Sequence, residues 1–507
     1  MKSLRKNIVI FGIVAAIFSL SSCINEKFSN DPSHKLTFGR DTLSFDTIFS
    51  TIPTYTAELM IYNKNNKALK ISSVFLENGA NSLFRFNLDG FTPNNANLLK
   101  DIEIAAHDSL FLLVEATFNK NDTTLPVYIA ENLVFITNGN TQKIVLEAYS
   151  QDAVILRNTT LTENTTFTSE KPYLVFGNLI IAEGKTLTLN AGTRIFMHRN
   201  ANVIANGNII SNGTENERVT ICGDRLDAAN VITYNIVTKV PFVAHIPYNF
   251  LPAQWGAIYL QNEIGENVFK NTTIRSGSDI VLFGNSIINA KLRLENCIIH
   301  NMNGFGVFSQ FGDLEIINTE ISNCGSSCVA VYGGKLKMAQ STIANYFDWA
   351  TRKDPAVFIT NFYVENKIIH QFPIYSAVVE NSIIFGKRDK DELVLKDTLY
   401  AGEKIMFNVL ISNCLIKAKK FERPELENII WSYSDNQINK TDTVFENTTV
   451  DWSNFKEKGY YNFQLAENSR AKDVANPQVA AQYPTDLLGK SRFTDSKPDL
   501  GAYERQE

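Results

Sequence analysis

Arg275 and His300 are the residues whose types and spacing come nearest to chemistry in this chain. Each stands four residues past an asparagine, Asn271 and Asn296, in two copies of one short repeat. If each copy is one turn of a coil, equivalent residues stack on adjacent strands and the two side chains lie side by side. A guanidinium holds a carboxylate bidentately, and a neutral imidazole accepts a proton. Such a pair suits neutralising an acid group and removing a proton beside it. The column continues as Ser322, Ala344, Phe385, Lys417 and Asp451, and strand alternation turns it towards solvent near a corner. The nearest acids, Asp279, Asp313, Glu315 and Glu320, are spread along the chain. A solvated surface is therefore favoured over catalysis for this column.

Other chemical signatures are missing. The histidines at 34, 107, 198, 245, 300 and 370 form no zinc-type spacing, and the chain has no nucleophile elbow, phosphate-binding loop or calcium loop. No metal and no cofactor is expected. Trp255, Trp349 and Tyr363 lie in or beside stretches that interrupt the repeat. Their flat apolar faces suit a sugar ring or a protein partner, or else pin those stretches to the coil.

The element that must position these residues is a hexapeptide: apolar, any residue, Asn, small polar or Cys, any residue, aliphatic. It occurs around Asn271, Asn296, Asn318, Asn381, Asn413 and Asn447, with Gln340 in the Asn place once. The intervals are 25, 22, 22, 41, 32 and 34 residues. A period near 22 fits a solenoid rung, and alternation on both sides of the Asn is the period of strands. Asn tolerates the left-handed backbone that a sharp corner requires. Stacked at ~4.8 Å, the Asn side chains form a ladder and the aliphatic column a continuous core.

This pattern resembles the right-handed parallel β-helix of the pectate-lyase-like superfamily, over roughly residues 155–470. The resemblance implies a fold shared by lyases, hydrolases and non-catalytic surface proteins. A lyase of that kind would pair its base with clustered acids for calcium, and this chain lacks the cluster.

The rest of the chain divides around this coil. Lys2, Arg5 and Lys6 precede a short apolar run from Ile8 to Leu20, and then comes Leu20-Ser21-Ser22-Cys23. The run is shorter than the ~20 residues of a membrane-spanning helix. It resembles the signal peptide (1–22) and lipobox of a Bacteroidetes-type bacterial lipoprotein, which implies acylation at Cys23 and anchorage in a lipid bilayer, the outer membrane being favoured by Ile24. Residues 23–34 are expected to be a flexible tether. Residues 35–150 alternate in short runs separated by turns such as Asn138-Gly139-Asn140, and predict a sandwich similar to immunoglobulin-like modules. The coil is expected over 151–475, with the stretches 224–253, 346–376 and 386–408 projecting as loops, and residues 476–507 covering its open end.

Five cysteines follow Cys23. Cys297 and Cys414 share one inward column four rungs apart, about 19 Å at strand spacing and beyond the ~7 Å reach of a disulfide. Both are expected to be free and buried; Cys324 and Cys328 are close enough in sequence to pair or to stay reduced.

A net charge of −5 on 507 residues argues against nucleic acid as a partner. The reading that follows is an all-β, non-enzymatic, cell-surface lipoprotein that binds a glycan or an envelope protein through aromatic loops. The alternatives are a polysaccharide lyase or glycoside hydrolase acting on an acidic glycan, and a structural spacer.

Overall fold

The computed structural model describes the chain apart from residues 1–26, 235–239, 263–264, 285–289, 390, 401–402, 435–436, 439–442, 451–459, 495–496 and 507. Cys23 and Asp451 lie outside the described residues. The chain forms two compact units, divided after Asp152.

The first unit is a β-sandwich. One sheet holds five strands, with Asn140–Gln151 between Thr42–Phe49 and Val127–Thr137, followed by Leu69–Leu76 and Leu98–Ile104. The other holds Thr37–Phe38, Ala57–Tyr62, Ser109–Ala116 and Phe84–Leu88. Period-2 runs such as Leu110, Leu112 and Val114 bury one face of each sheet against the other. The expected tether is not free over its described part. The Asn138 amide donates to the carbonyls of Asp31 and His34, and Ser29 donates its backbone N–H to Ala68. The turn asparagines supply donors that satisfy this segment's carbonyls, so residues 29–34 are bound to the sandwich.

The second unit is a parallel β-helix of three strand stacks. The stack before the Asn corner has ten strands, from Thr165–Phe167 to Leu426–Glu427. The stack after the corner includes Thr272–Arg275, Ile298–His300, Glu320–Ser322, Thr342–Asn345, Ile383–Gly386 and Leu415–Ile416. The third includes Ile280–Phe283, Val307–Gln310, Val329–Tyr332, Val357–Thr360 and Leu393–Lys396. Eight isoleucines, at 195, 221, 274, 299, 321, 343, 384 and 416, stack in register inside the coil and none is more than 2% exposed. Each such burial contributes roughly 1.5–3 kcal/mol.

The corner works as the sequence predicts at most positions. Asn271, Asn296, Asn318, Gln340, Asn381 and Asn413 have φ between 45° and 54°. Beside it, the small polar column forms an internal ladder. The backbone N–H of Cys297 donates to Thr319 Oγ1, that of Thr319 to Ser341 Oγ, and that of Ser341 to Ser382 Oγ. Each hydroxyl or thiol returns a bond to the carbonyl two residues before it. The small polar groups of this column are thus satisfied, as burial demands. Cys297 and Cys414 do sit four rungs apart here, and all five described cysteines are free and buried. Burial pushes the Cys297 thiol up to about 11 and the Cys414 thiol up to about 12.

Asn447 does not belong to the ladder. It lies in Phe445–Asn447, which pairs antiparallel with Asn462–Leu465. The corner after Asn413 is instead Asn428, with φ 52°, and its amide donates to Asn413 at 3.4 Å. The repeat is disguised there because Ile429 and Trp431 fill the small-polar and aliphatic places.

The described part of the tail, expected as an end cap, is held on the side of the coil. It lies along the outer face of the post-corner stack, where Phe445, Phe463, Leu465, Leu500 and Tyr503 pack on Ala344, Ile383, Phe385 and Leu415. Arg492, fully buried, donates to Asn318 Oδ1, and Asn318 donates to Thr485 and Asn296. The interruptions are not plain loops either. Ala228–Tyr234 pairs antiparallel with Pro241–Pro247, and Phe362–Glu365 with Ile368–Gln371. The stretches 346–376 and 386–408 also carry third-stack strands of their own.

Asn318→Ala and Asn413→Ala remove the same left-handed preference. Asn318 makes three short side-chain bonds, whereas Asn413 accepts one long one. Asn318→Ala is expected to cost about 2–4 kcal/mol against about 1–2 for Asn413→Ala, read as thermal midpoints of unfolding. The buried thiols are expected to resist a water-soluble disulfide reagent in the folded chain and to react fully once it is denatured; rapid modification of folded Cys297 or Cys414 would contradict the burial.

Candidate functional site

Register brings Arg275 and His300 together. Arg275 pairs across to His300, and His300 to Ser322. The column does not face solvent as expected, because the C-terminal segment covers it. Ser322, Ala344, Phe385 and Lys417 are buried, and Arg275 and His300 are half-buried. Three segments meet around the pair. Phe250, just after the strand Pro241–Pro247, stacks on Tyr460 at 3.9 Å and stands edge-on to His300 at 6.2 Å. Tyr461 approaches His300 at 6.4 Å.

A hydrogen-bonded chain fixes the imidazole. His300 Nδ1 lies 3.0 Å from Ser322 Oγ, and Ser322 donates its one proton to Glu320 Oε1 at 2.6 Å. Tyr503, from the tail, donates to the other Glu320 oxygen. Ser322 therefore accepts from Nδ1–H, and the network assigns the bare lone pair to Nε2. Burial first, and then the Arg275 charge, push the imidazole down to about 4. It is a neutral base at ordinary pH. Burial raises Glu320, against the hydrogen bonds from Ser322 and Tyr503.

The acids are not gathered at this site. Asp313 and Glu315 face outward from the pre-corner stack, where Glu315 pairs with Lys291 and Arg293. Asp279 sits on the turn into the third stack and accepts from the backbone N–H of Phe305. Among the described residues no group of three His, Cys, Asp or Glu side chains is placed to hold a metal ion.

The aromatic candidates separate. Trp255 is 2% exposed, its indole N–H donating to the Arg275 carbonyl at 2.9 Å. It is a core residue, because Gly277 leaves room for its ring: a Cβ there would lie 2.6 Å from the indole. Trp349 is half-buried between two coil strands. Tyr363 joins a surface that the sequence hides. Phe305 and Phe308 lie 5.2 Å apart, Phe308 and Tyr332 5.2 Å, and Tyr332 and Phe358 5.6 Å, with Tyr363 6.5 Å from Tyr332. Tyr363 in turn stacks on His370 and Phe372. All five ribbon rings are half-exposed on the third stack and its hairpin. Phe308, Tyr332 and Phe358 recur at 24 and 26 residues, a signal available only once the rungs are counted. A second feature missed in sequence is His198, whose Nδ1 lies 2.6 Å from Asp224 Oδ2 on the next rung.

No family model matches the chain, and no curated protein matches it. Solved structures do. A family 123 glycoside hydrolase from Clostridium perfringens, studied for glycolipid glycan hydrolysis, is 8% identical with a TM-score of 0.17, over 26% of this chain and 30% of its own. The PapD-like domain 7 of human CEP192 is 11% identical with a TM-score of 0.16, over 26% of this chain and 96% of that domain. The A-module of a mannuronan C-5 epimerase from Azotobacter vinelandii is 12% identical with a TM-score of 0.27, over 56% of this chain and 91% of the module.

Protonating His300 costs folding energy. Its native value near 4 lies below the ~6.5 of an unfolded histidine. The unfolded state therefore binds more protons, and the stability held above about pH 6.5 is lost as the pH falls towards 4. After allowance for partial exposure, the loss is expected to be on the order of 2 kcal/mol. His300→Gln should abolish it, seen as a shallower fall of the thermal midpoint between pH 7 and pH 4.

Proposed function

We propose that this protein is a glycan-binding lipoprotein of the bacterial outer envelope, acylated at Cys23, with the aromatic ribbon of its β-helix as the binding face. The observation that carries the reading is the row Phe305, Phe308, Tyr332, Phe358 and Tyr363, half-exposed and in ring contact across three consecutive rungs. Half-exposed rings in a row offer flat apolar faces to the C–H faces of successive sugars. Polar groups beside them supply directional contacts: Gln310 is the register partner of Tyr332, and Asp354 accepts from Ser326 nearby. A long coil holds this row rigidly, which lowers the ordering cost of binding an extended chain. No helix among the described residues is long and apolar enough to cross a membrane; in this reading the acyl chains on Cys23 provide the anchor, two or more being needed for stable attachment.

One observation favours a second reading, an enzyme acting on an acidic polysaccharide. His300, with a bare Nε2, is the register partner of Arg275, which puts a base on the strand next to a cation able to receive a carboxylate.

A glycan array with the full chain, run beside an assay for new reducing ends and unsaturated products, separates the two. Binding without product is expected. Tyr332→Ala with Phe358→Ala should weaken binding by at least about tenfold while leaving the circular dichroism unchanged. Binding that survives the double substitution removes the ribbon from the reading. Product formed in proportion to enzyme, and lost in His300→Gln, replaces it with the second reading.

A further inference from the structure

We infer that Arg275 is the receptor for a small oxyanion, the carboxylate or sulfate of an acidic sugar, at a site separate from the aromatic ribbon. Several other guanidinium groups of this chain meet a carboxylate. Arg352 forms two bonds to Glu392 at 2.6 and 2.8 Å. Arg492 meets Glu504 and Asn318, Arg225 meets Asp227, and Arg423 meets Asp397. Arg218, which has no carboxylate bond, donates to Thr273 Oγ1 and to the carbonyls of Thr272 and Asn296.

Arg275 lacks a carboxylate partner, as Arg218 does, and its neighbour on the preceding rung is the Cys222 thiol. It forms no ion pair among the described residues, and its Nε–H is buried without an acceptor. A buried donor left unmade is costly, and a half-buried cation without a counter-charge more so. The groups around it cannot supply that charge. His300 gives its Nδ1–H to Ser322 and is neutral. Glu320 is engaged by Ser322 and Tyr503. Burial holds the neighbouring Cys222 thiol up despite the pull of Arg275. Asp224 is spent on His198.

The surroundings describe the missing partner. A guanidinium fork matches a planar or tetrahedral oxyanion bidentately. Asn301, at the corner just past His300, makes only long amide contacts, at 3.5 Å to Asn249 O and to Ser276 Oγ. Both of its N–H groups are met only at that length, so a nearer oxyanion competes for them. Phe250, Tyr460 and Tyr461 line the site with rings, so an anion carried on a sugar ring fits better than a bare ion.

The test titrates the full chain with D-glucuronate, glucose 6-sulfate, neutral glucose and acetate, reading heat and the imidazole resonances of His300. Saturable binding of glucuronate or of the sulfate is expected, the better ligand naming the source of the oxyanion. The bound negative charge should raise the His300 titration by at least about half a pH unit. Arg275→Gln should weaken this binding by at least about tenfold, and Arg275→Lys, which keeps the charge and loses the fork, by severalfold. Tyr460→Ala, at the exposed rim, is expected to weaken the sugar anions and not acetate. It needs no change to the coil, so it decides the matter if neither Arg275 variant folds. The ribbon double variant Tyr332→Ala with Phe358→Ala should bind these anions as the parent does, which keeps this result apart from the ribbon reading. The inference falls if neither sugar anion binds up to ~50 mM, a free energy weaker than about 2 kcal/mol. It also falls if acetate or glucose binds as well as the sugar anions, or if binding persists in Arg275→Gln.

Discussion

The left-handed corner at the asparagine column is the constraint on which the coil depends. A strand can pair in parallel with its own next turn only if the chain reverses direction at a fixed place in each rung. Six residues hold φ between 45° and 54° at that place, and Asn428 adds a seventh at 52°. Once the corner is fixed, a period of two decides everything beside it. The residue three past the corner points inward, and the isoleucine stack follows. The residue one past it points inward too, but beside the carbonyl that precedes the corner, and Thr, Ser or Cys there bonds that carbonyl.

The corner also organises the outside. The post-corner strand is short and bounded at its far end by a second left-handed column, Ser276, Asn301 and Asn323, five residues after the first. Its outer face is therefore narrow, and the tail from Phe445 to Tyr503 lies down on it. The buried polar network of Arg492, Asn318, Tyr503 and Glu320 locks this arrangement in one register. Removing either partner of such a network leaves a buried group unmatched, so the tail and the coil are specified together.

How far the site was legible follows from the same geometry. The stacking of Arg275 on His300 could be read from the offset of four, because register depends only on counting from the corner. Their environment could not. Exposure of that column was overturned by a tail about 150 residues further on, with no periodic signal of where it would lie. Trp255 has the composition of a binding residue, yet it fills the space left by Gly277. The ribbon was hidden for a different reason: Phe308, Tyr332 and Phe358 sit in the third stack, whose distance from the asparagine varies with each turn.

What the sequence alone determined is the coil, its inward columns, the left-handed corners and the isolation of Cys297 from Cys414. These are properties of a repeat, and a repeat writes its local geometry many times over. What only the tertiary structure decided is which outward columns stay open and which are covered, where the ladder ends at Asn428 rather than Asn447, and which rings become a surface. Those outcomes turn on contacts between segments far apart in sequence, each made once, and a contact made once leaves no pattern along the chain.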